Sequence, residues 1–286
     1  MYGSRRERGL SSATVNCYGR HAAMFLRWLP GPLDSVVREL DSRQVVGFMV
    51  EFCRDHNTWY AKAMVTAVLA MLRFLHITGR TRAALMAAVP GVSGWRLASL
   101  PRGIDPLVVR RIIESCDRDT VMGRRNYAVL VVLARLGMRS AEVAGLELGD
   151  IDWRAGEVVV HGKGRRLDRL PLPVDVGDAL AEYLIVRRSG EDRAVFCATL
   201  PPFRRLVPCT ISTIVGRACD RAGVNRVFAH RLRHSLATEM LRAGASLPEI
   251  GQVLRHRSLI STSIYAKVDV EALKVLARPW PVGGER

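Results

Sequence analysis

Four short segments in the second half of the chain carry polar residue types that one reaction could use together. In residues 137–142, Arg139 follows a glycine that can end one helix and precedes Ser140, which can cap the next. The N-terminus of a helix attracts anions, so Arg139 is well placed to bind a phosphate. The structural alternative is an ion pair between Arg139 and Glu142 across the start of that helix.

The second segment is Gly162-Lys163-Gly164, which is predicted to form the tip of a β-hairpin. Flanking glycines let the backbone turn and approach a ligand, and the lysine between them could donate a proton, which arginine does not do. A phosphate-binding P-loop is excluded because Gly164 stands where that motif needs Ser or Thr. The alternative is an ordinary exposed turn.

The third segment is His230-Arg231-Leu232-Arg233-His234. Positions i and i+3 of a helix share a face, so His230 and Arg233 can address one ligand. The i, i+4 spacing of the two histidines also occurs in zinc sites. A metalloprotease motif, however, has Glu where Arg231 stands, and two arginines would repel a cation. We therefore expect no metal here.

The fourth segment is Leu254-Arg255-His256, and Tyr265 follows nine residues after His256. A single tyrosine is more often structural, and the chain contains five others. His256 and Tyr265 are further candidate site residues, because they follow His230 and Arg233 of the third segment in the chain.

The charge of the chain predicts a polyanionic partner. The 286 residues include 43 Lys and Arg against 27 Asp and Glu, a net charge of +16, and the pI is about 10.6. Residues 1–97 carry +7 and residues 98–286 carry +9. The charge is thus spread over both halves instead of lying on one amphipathic helix, which favours two lobes closing around a nucleic-acid duplex over a membrane surface.

Two further features indicate an intracellular, cytoplasmic protein. The longest apolar runs, residues 64–72 and 127–134, are far shorter than the ~18 residues that span a bilayer, and no apolar signal segment follows the basic N-terminus. The six cysteines include no CxxC pair, which predicts buried free thiols in a reducing compartment.

Hydrophobic periodicity predicts a mainly α protein with two domains, residues 1–97 and 104–286, joined by a Gly-, Pro- and Ser-rich linker at about 89–103. The first domain is predicted to be a helical bundle, and the second an α+β domain with a small antiparallel sheet. The predicted helices cover residues 11–29, 45–52, 59–77, 125–136, 210–222, 231–243 and 247–254, with others starting near 105, 174 and 261. The predicted strands are residues 157–161 and a return to about 172.

Together the four segments resemble the catalytic domain of the tyrosine recombinase (phage integrase) family, over about residues 104–275. That domain carries Arg, Lys, His-x-x-Arg, His or Trp, and Tyr in this order, and the matching residues are Arg139, Lys163, His230, Arg233, His256 and Tyr265. The helical first part is similar to the family's DNA core-binding domain. Met138 replaces the usual Leu, and Arg255 replaces the usual Gly before the third-motif histidine, which adds bulk and charge beside the site.

The resemblance implies site-specific DNA recombination in which Tyr265 attacks the scissile phosphate and forms a 3′-phosphotyrosyl link. Arg139 and Arg233 would hold the non-bridging oxygens, and Lys163 would protonate the leaving 5′-oxygen. His230 would assist proton transfer at the tyrosine, and His256 would hydrogen-bond the phosphate. No metal and no other cofactor is implied.

The implied partners are double-stranded DNA and, because strand exchange joins two duplexes, a tetramer assembled on DNA; the need for a second recombinase stays open. Residues 266–286 could dock on a neighbouring protomer or pack on their own chain. We expect a simple two-domain integrase or transposase-like recombinase of a mobile element. The alternatives are a Xer-like dimer-resolving recombinase, a type IB topoisomerase, and an inactive DNA-binding relative, since residues 236–254 are also typical of a helix-turn-helix.

Overall fold

A computed structural model places most of the chain in helices and adds one small sheet. The structure describes residues 12–81, 84–92, 103–162, 166–188, 193–256, 262 and 265. Lys163, most of the predicted linker and the segment after Tyr265 lie outside the described residues. The chain divides into two units, Met1–Ala98 and Ser99–Arg286. The DNA-binding role expected for the first unit stays a prediction.

The described part of the first unit is helical, with a core lined by aromatic and aliphatic side chains. Asp41 caps one helix by accepting a hydrogen bond from the Gln44 amide at 2.8 Å, and Asn57 caps the next by accepting from the Tyr60 amide at 3.0 Å. The elements are α1 (Ser12–Trp28), α2 (Leu33–Arg38), α3 (Ser42–Asp55), α4 (Thr58–Ile77) and a 3-10 turn (Leu85–Ala88). Helix α2 was not predicted, and α3 extends beyond its predicted bounds at both ends.

Among the described residues, α4 alone has the length and apolar composition of a membrane-crossing helix. Seven of its twenty residues are buried inside the protein, whereas Trp59 and Ile77 are exposed. The buried residues recur along one side of the helix and are Ala61, Met64, Ala67, Val68, Met71, Leu72 and Leu75. Such a face is that of a core helix.

The second unit is built around one central helix, α6, which packs against helices on several sides. This helix begins at Val121, four residues before its predicted start, because the Thr120 side chain caps it by accepting from the Gly123 amide at 3.0 Å. The helices are α5 (Pro106–Glu114), α6 (Val121–Arg135), α7 (Ser140–Ala144), α8 (Val174–Val186), α9 (Pro208–Arg221), α10 (Ala229–Arg242) and α11 (Leu247–Val253).

The sheet of the second unit has three antiparallel strands in the order β1 (Ile151–Asp152), β2 (Glu157–His161) and β3 (Leu167–Pro171). The β2–β3 register pairs His161 with Leu167, so the chain reverses direction between these two residues. The mainly α fold with a small antiparallel sheet is confirmed, and β1 adds a short strand that was not predicted.

All six cysteines are free, as predicted, but their burial differs from the prediction. Cys116, Cys197 and Cys219 are buried. The prediction of a buried thiol is wrong for Cys209, which is exposed near the start of α9. The remaining two cysteines, both in the first unit, are half-buried.

Candidate active site

Arg139 lies at the junction between α6 and α7 and is the N-cap residue of α7, a place that the sequence had suggested for Ser140. Glu142 accepts hydrogen bonds from the Arg139 amide at 2.9 Å and from its Nη1 at 2.5 Å. The ion pair named as the structural alternative therefore exists. The Arg139 side chain is nevertheless 45% exposed, so a ligand can still reach its guanidinium.

Glu142 joins Arg139 to a second arginine. Arg255 donates at 2.8 Å to Glu142 Oε2, the oxygen that also accepts from the Arg139 amide, and the side chains of Arg255 and Glu142 are both buried. Burial by itself raises the pKa of Glu142. The hydrogen bonds from Arg139 and the charge of Arg255 outweigh this effect, so the pKa is lowered and the carboxylate stays ionised.

Arg233 projects from α10 into the interior, where two backbone carbonyl groups hold its guanidinium. Its Nη1 donates to the Gly137 carbonyl at 2.5 Å, and its Nη2 donates to the Leu254 carbonyl. Burial, followed by the charges of Arg139 and Arg255, lowers the pKa of Arg233 to about 10. The guanidinium is therefore fixed in orientation and still charged at neutral pH.

Tyr265 is fully buried and packs in a small apolar cluster with Ala237 and Leu254. Its hydroxyl is hydrogen-bonded to Nδ1 of His234, with 2.6 Å between Oη and the nitrogen. Burial raises the pKa of Tyr265 to about 12, although the charge of Arg233 opposes the shift. The hydroxyl is thus protonated at rest and needs a base to become a nucleophile.

His230 and His234 lie one turn apart on α10, and their Nε2 atoms are 2.9 Å apart. The sequence predicted that His230 would act at Tyr265, whereas the structure places His234 at the hydroxyl and His230 one step further out. Burial and neighbouring cationic side chains lower the pKa of both histidines, that of His234 to about 4. The sequence signals for His234 were its i, i+4 spacing from His230, which was weighed as a metal pattern, and its place as the last residue of the family-like segment His230–His234.

His256 lies beside the tyrosine, with its ring parallel to that of Tyr265 and 6.3 Å between the ring centroids. Its Nδ1 is 2.8 Å from the hydroxyl oxygen of Thr262, a buried residue absent from the sequence-based set. Burial, then the charges of Arg233 and Arg139, lower the pKa of His256 to about 4. This imidazole is therefore neutral at neutral pH.

The structure thus brings five of the six predicted site residues into one region, and the sixth, Lys163, lies outside the described residues. Arg139 and Arg255 pair with Glu142, and Arg233 is close enough for its pKa to respond to that carboxylate, so three arginines share one carboxylate and leave a positive potential suited to an anion. A tyrosine hydroxyl, neutral imidazoles and fixed guanidinium groups are the parts needed for nucleophilic attack on a phosphodiester. Among the described residues no group of three or more His, Cys, Asp or Glu side chains is arranged to hold a metal ion.

Comparison with known sequences identifies related proteins. The phage integrase family pattern matches residues 103–272. The integrase/recombinase y4rA of Sinorhizobium fredii is 43% identical over 281 residues, which span 97% of this chain and 68% of that protein. The tyrosine recombinase XerC of Azotobacter vinelandii is 30% identical over 272 residues, which span 94% of this chain and 90% of XerC.

Solved structures share the fold. The XerH site-specific recombinase, bound to a palindromic difH substrate in a post-cleavage complex, matches with a TM-score of 0.75 at 21% identity, over 94% of this chain and 80% of that one. A lambda integrase dimer bound to a COC′ core site matches with a TM-score of 0.72 at 15% identity, over 98% and 95% of the two chains.

Proposed function

The chain belongs to the phage integrase family of tyrosine recombinases, and from this premise we propose that it cuts and rejoins DNA by forming a covalent 3′-phosphate bond to Tyr265. The observation that carries the proposal is the Tyr265 hydroxyl, which is buried, bonded to His234 and close enough to Arg233 for its pKa to respond to that charge. A buried tyrosine with only a packing role also needs a hydrogen-bond partner for its hydroxyl, but it does not need a cationic guanidinium nearby.

Attack on a phosphodiester places negative charge on the two non-bridging oxygens. Arg233, held by two carbonyl groups, and Arg139, whose Nη1 is held by Glu142, are proposed to bind these oxygens through their forked N–H groups. Because both guanidinium groups are already oriented, little reorganisation is needed as the charge develops. His256, neutral and bonded through Nδ1, is proposed to donate from Nε2 to the same phosphate.

The leaving 5′-oxygen needs a proton from the opposite side of the phosphorus. As the family resemblance implies, we assign this role to Lys163, which the sequence places between β2 and β3. The covalent phosphotyrosyl bond conserves the energy of the broken phosphodiester, so the released 5′-hydroxyl can later attack it and restore the DNA backbone.

Double-stranded DNA is the proposed partner, since lambda integrase, which shares the fold, crystallises as a dimer on a COC′ core site and as a tetramer on a Holliday junction. We propose that this chain also assembles as a tetramer, since exchange of strands joins two duplexes, and that it works in the cytoplasm, where DNA is accessible. The similarity to y4rA favours an integrase or transposase-like recombinase. The nearly full-length similarity to XerC keeps a Xer-like dimer-resolving role as the second candidate.

The test is a nicked suicide duplex, in which the fragment next to the scissile phosphate diffuses away and the covalent intermediate accumulates. Duplexes that span candidate element ends and candidate dimer-resolution sites are incubated with wild type and with Tyr265→Phe, and adducts are separated on a denaturing gel. We expect an adduct with wild type and none with Tyr265→Phe at equal DNA binding. An adduct that persists in Tyr265→Phe would overturn the assignment, and the duplex that reacts separates the two biological roles.

A further inference from the structure

A continuous hydrogen-bonded chain leads from the buried Tyr265 hydroxyl to the surface. Tyr265 Oη is 2.6 Å from Nδ1 of His234, and Nε2 of His234 is 2.9 Å from Nε2 of His230. Tyr265 is fully buried, His234 is half-buried, and His230 is exposed. The two histidines therefore connect the buried hydroxyl to solvent, one imidazole after the other.

We propose that His234 is a further catalytic residue, which takes the proton of Tyr265 during attack on the phosphate and passes a proton on to His230. This inference rests on the proposed function, because it requires Tyr265 to be the nucleophile. It reassigns the direct partner of the hydroxyl from His230, the histidine expected from the sequence, to His234. His230 becomes the outer member of a relay.

The relay assigns a direction to each of these two hydrogen bonds. In the resting state of the relay, Tyr265 donates to Nδ1 of a neutral His234, which leaves the proton of His234 on Nε2, where it is donated to Nε2 of His230. As the bond from Oη to phosphorus forms, Nδ1 takes the tyrosine proton and Nε2 gives its proton to His230. His234 stays neutral and changes only its tautomer. His230 becomes an imidazolium, and the leaving 5′-oxygen takes its proton separately from the general acid as the P–O5′ bond breaks.

The surroundings keep His234 ready to accept a proton. Burial is the largest influence on its pKa, and the positive groups that face it, His230 when protonated, Arg233 and Arg231, act in the same direction. Its pKa of about 4 means that the ring is neutral at neutral pH. A protonated His234 would donate to Oη instead of accepting from it, and the relay would be blocked.

The relay predicts a specific pattern of variants in the suicide-duplex assay. His234→Asn keeps a polar partner near Oη but cannot pass a proton onward, and His234→Ala removes the partner. We expect each to slow adduct formation by about 100-fold, the size of general-base effects, without weakening DNA binding. The double variant His234→Asn/His230→Ala should be no slower than the slower single variant, because either substitution alone already interrupts the same proton transfer. Full activity of His234→Asn, or losses that multiply in the double variant, would overturn the relay.

A substrate with sulfur in place of the 5′-bridging oxygen separates this role from the general acid. Sulfur leaves without a proton, so it relieves a defect on the leaving-group side but not a defect in tyrosine activation. We expect no rescue of His234→Asn, and a rescue to the wild-type rate would overturn the proposal. If wild type itself forms no adduct, the proposed function fails; if wild type reacts and His234→Asn reacts equally well, only the relay fails.

A measurement without DNA tests the hydrogen bond on which the relay depends. The nitrogen-15 shifts of the histidine rings in the labelled full chain report which nitrogen atoms carry protons. We expect Tyr265→Phe to shift Nδ1 of His234 and, through the changed tautomer, Nε2 of His230. Unchanged shifts of both rings would overturn the inference.

Discussion

The guanidinium of Arg255 donates a 2.8 Å hydrogen bond to the Glu142 carboxylate, and both side chains are almost wholly buried, at 3% and 5% exposure. Arg255 also occupies the position that follows the C-cap of α11. Its amide donates to the Gln252 carbonyl at 2.9 Å, and its φ of +53° lies in the left-handed region. The next amide donates to the Gly251 carbonyl at 2.9 Å, which completes a Schellman motif. Glycine usually occupies this position, which explains why the family has Gly here.

Two substitutions separate the side-chain and backbone contributions of Arg255 to the free energy of unfolding. Arg255→Ala removes the ion pair with Glu142 and keeps a Cβ at positive φ, so it should lower the free energy of unfolding by about 3 kcal/mol. Arg255→Gly removes the same side chain but adopts the left-handed conformation freely, so it should cost about 1 kcal/mol less than Arg255→Ala. Urea unfolding of the two variants checks this order, and equal losses would contradict it.

Gly137 combines a positive φ of +57° with a carbonyl that holds Arg233. A Cβ at this position would lie 2.9 Å from methyl groups of Leu236 and Leu254. We expect Gly137→Ala to lower the free energy of unfolding by about 2 kcal/mol and to slow adduct formation by roughly tenfold as Arg233 moves.

Gly156 is the matched control for Gly137, because its φ is +65° and a Cβ there would meet nothing within 4 Å. Gly156→Ala should therefore cost only the backbone strain, about 1 kcal/mol, and leave adduct formation unchanged. Equal effects of the two glycine variants on adduct formation would show that the Gly137 carbonyl does not position Arg233.

The periodic helices were predictable because the apolar positions that they bury recur every three to four residues. Helix α2 was missed because six residues after Pro30, Gly31 and Pro32 resemble a turn more than a helix. Strand β1 was missed because two residues carry no alternation. Both elements owe their structure to neighbours: Val37 of α2 packs in the first core, and β1 pairs with β2.

The identities of the candidate site residues could be predicted because their order matches a known pattern, but their hydrogen-bond partners could not. The residue that meets the Tyr265 hydroxyl depends on how α10, α11 and the tyrosine pack, and residues 31 positions apart carry no signal of contact. For Arg255 the sequence predicted charge beside the site. The structure shows that this charge is turned inward to Glu142, and that the backbone position is the more unusual feature.

Stability should fall as the pH is lowered from about 6.5 to about 4. His234 and His256 have native pKa values of about 4, whereas an unfolded histidine titrates near 6.5. In this window the unfolded chain binds more protons, so falling pH favours unfolding. Replacing both residues with Gln should reduce the wild-type loss between pH 7 and pH 5 by about 2 kcal/mol, after allowance for their partial exposure. Urea unfolding at the two pH values measures it, and an identical pH slope in wild type and variant would contradict it.

Lys163→Ala should slow adduct formation by about 100-fold or more and leave DNA affinity nearly unchanged, since the role proposed for Lys163 is proton donation rather than binding. The substrate with a 5′-bridging sulfur should restore the rate, because its leaving group needs no proton. The same assay on the His234 variants provides the contrast. A Lys163→Ala defect that sulfur does not relieve would remove the general-acid assignment.

Thr262 should set the tautomer of His256. Nδ1 of His256 is 2.8 Å from the Thr262 hydroxyl oxygen. Because His256 is neutral, one ring nitrogen accepts and the other donates. We expect the hydroxyl to donate to Nδ1, which leaves the proton on Nε2, free to reach a phosphate oxygen. Thr262→Val keeps the side-chain shape but removes this donor, and Thr262→Ser keeps it. We expect Thr262→Val to slow adduct formation by about tenfold, the value of one hydrogen bond of about 1.4 kcal/mol, while Thr262→Ser stays near wild type. Equal rates in the two variants would mean that packing alone orients His256.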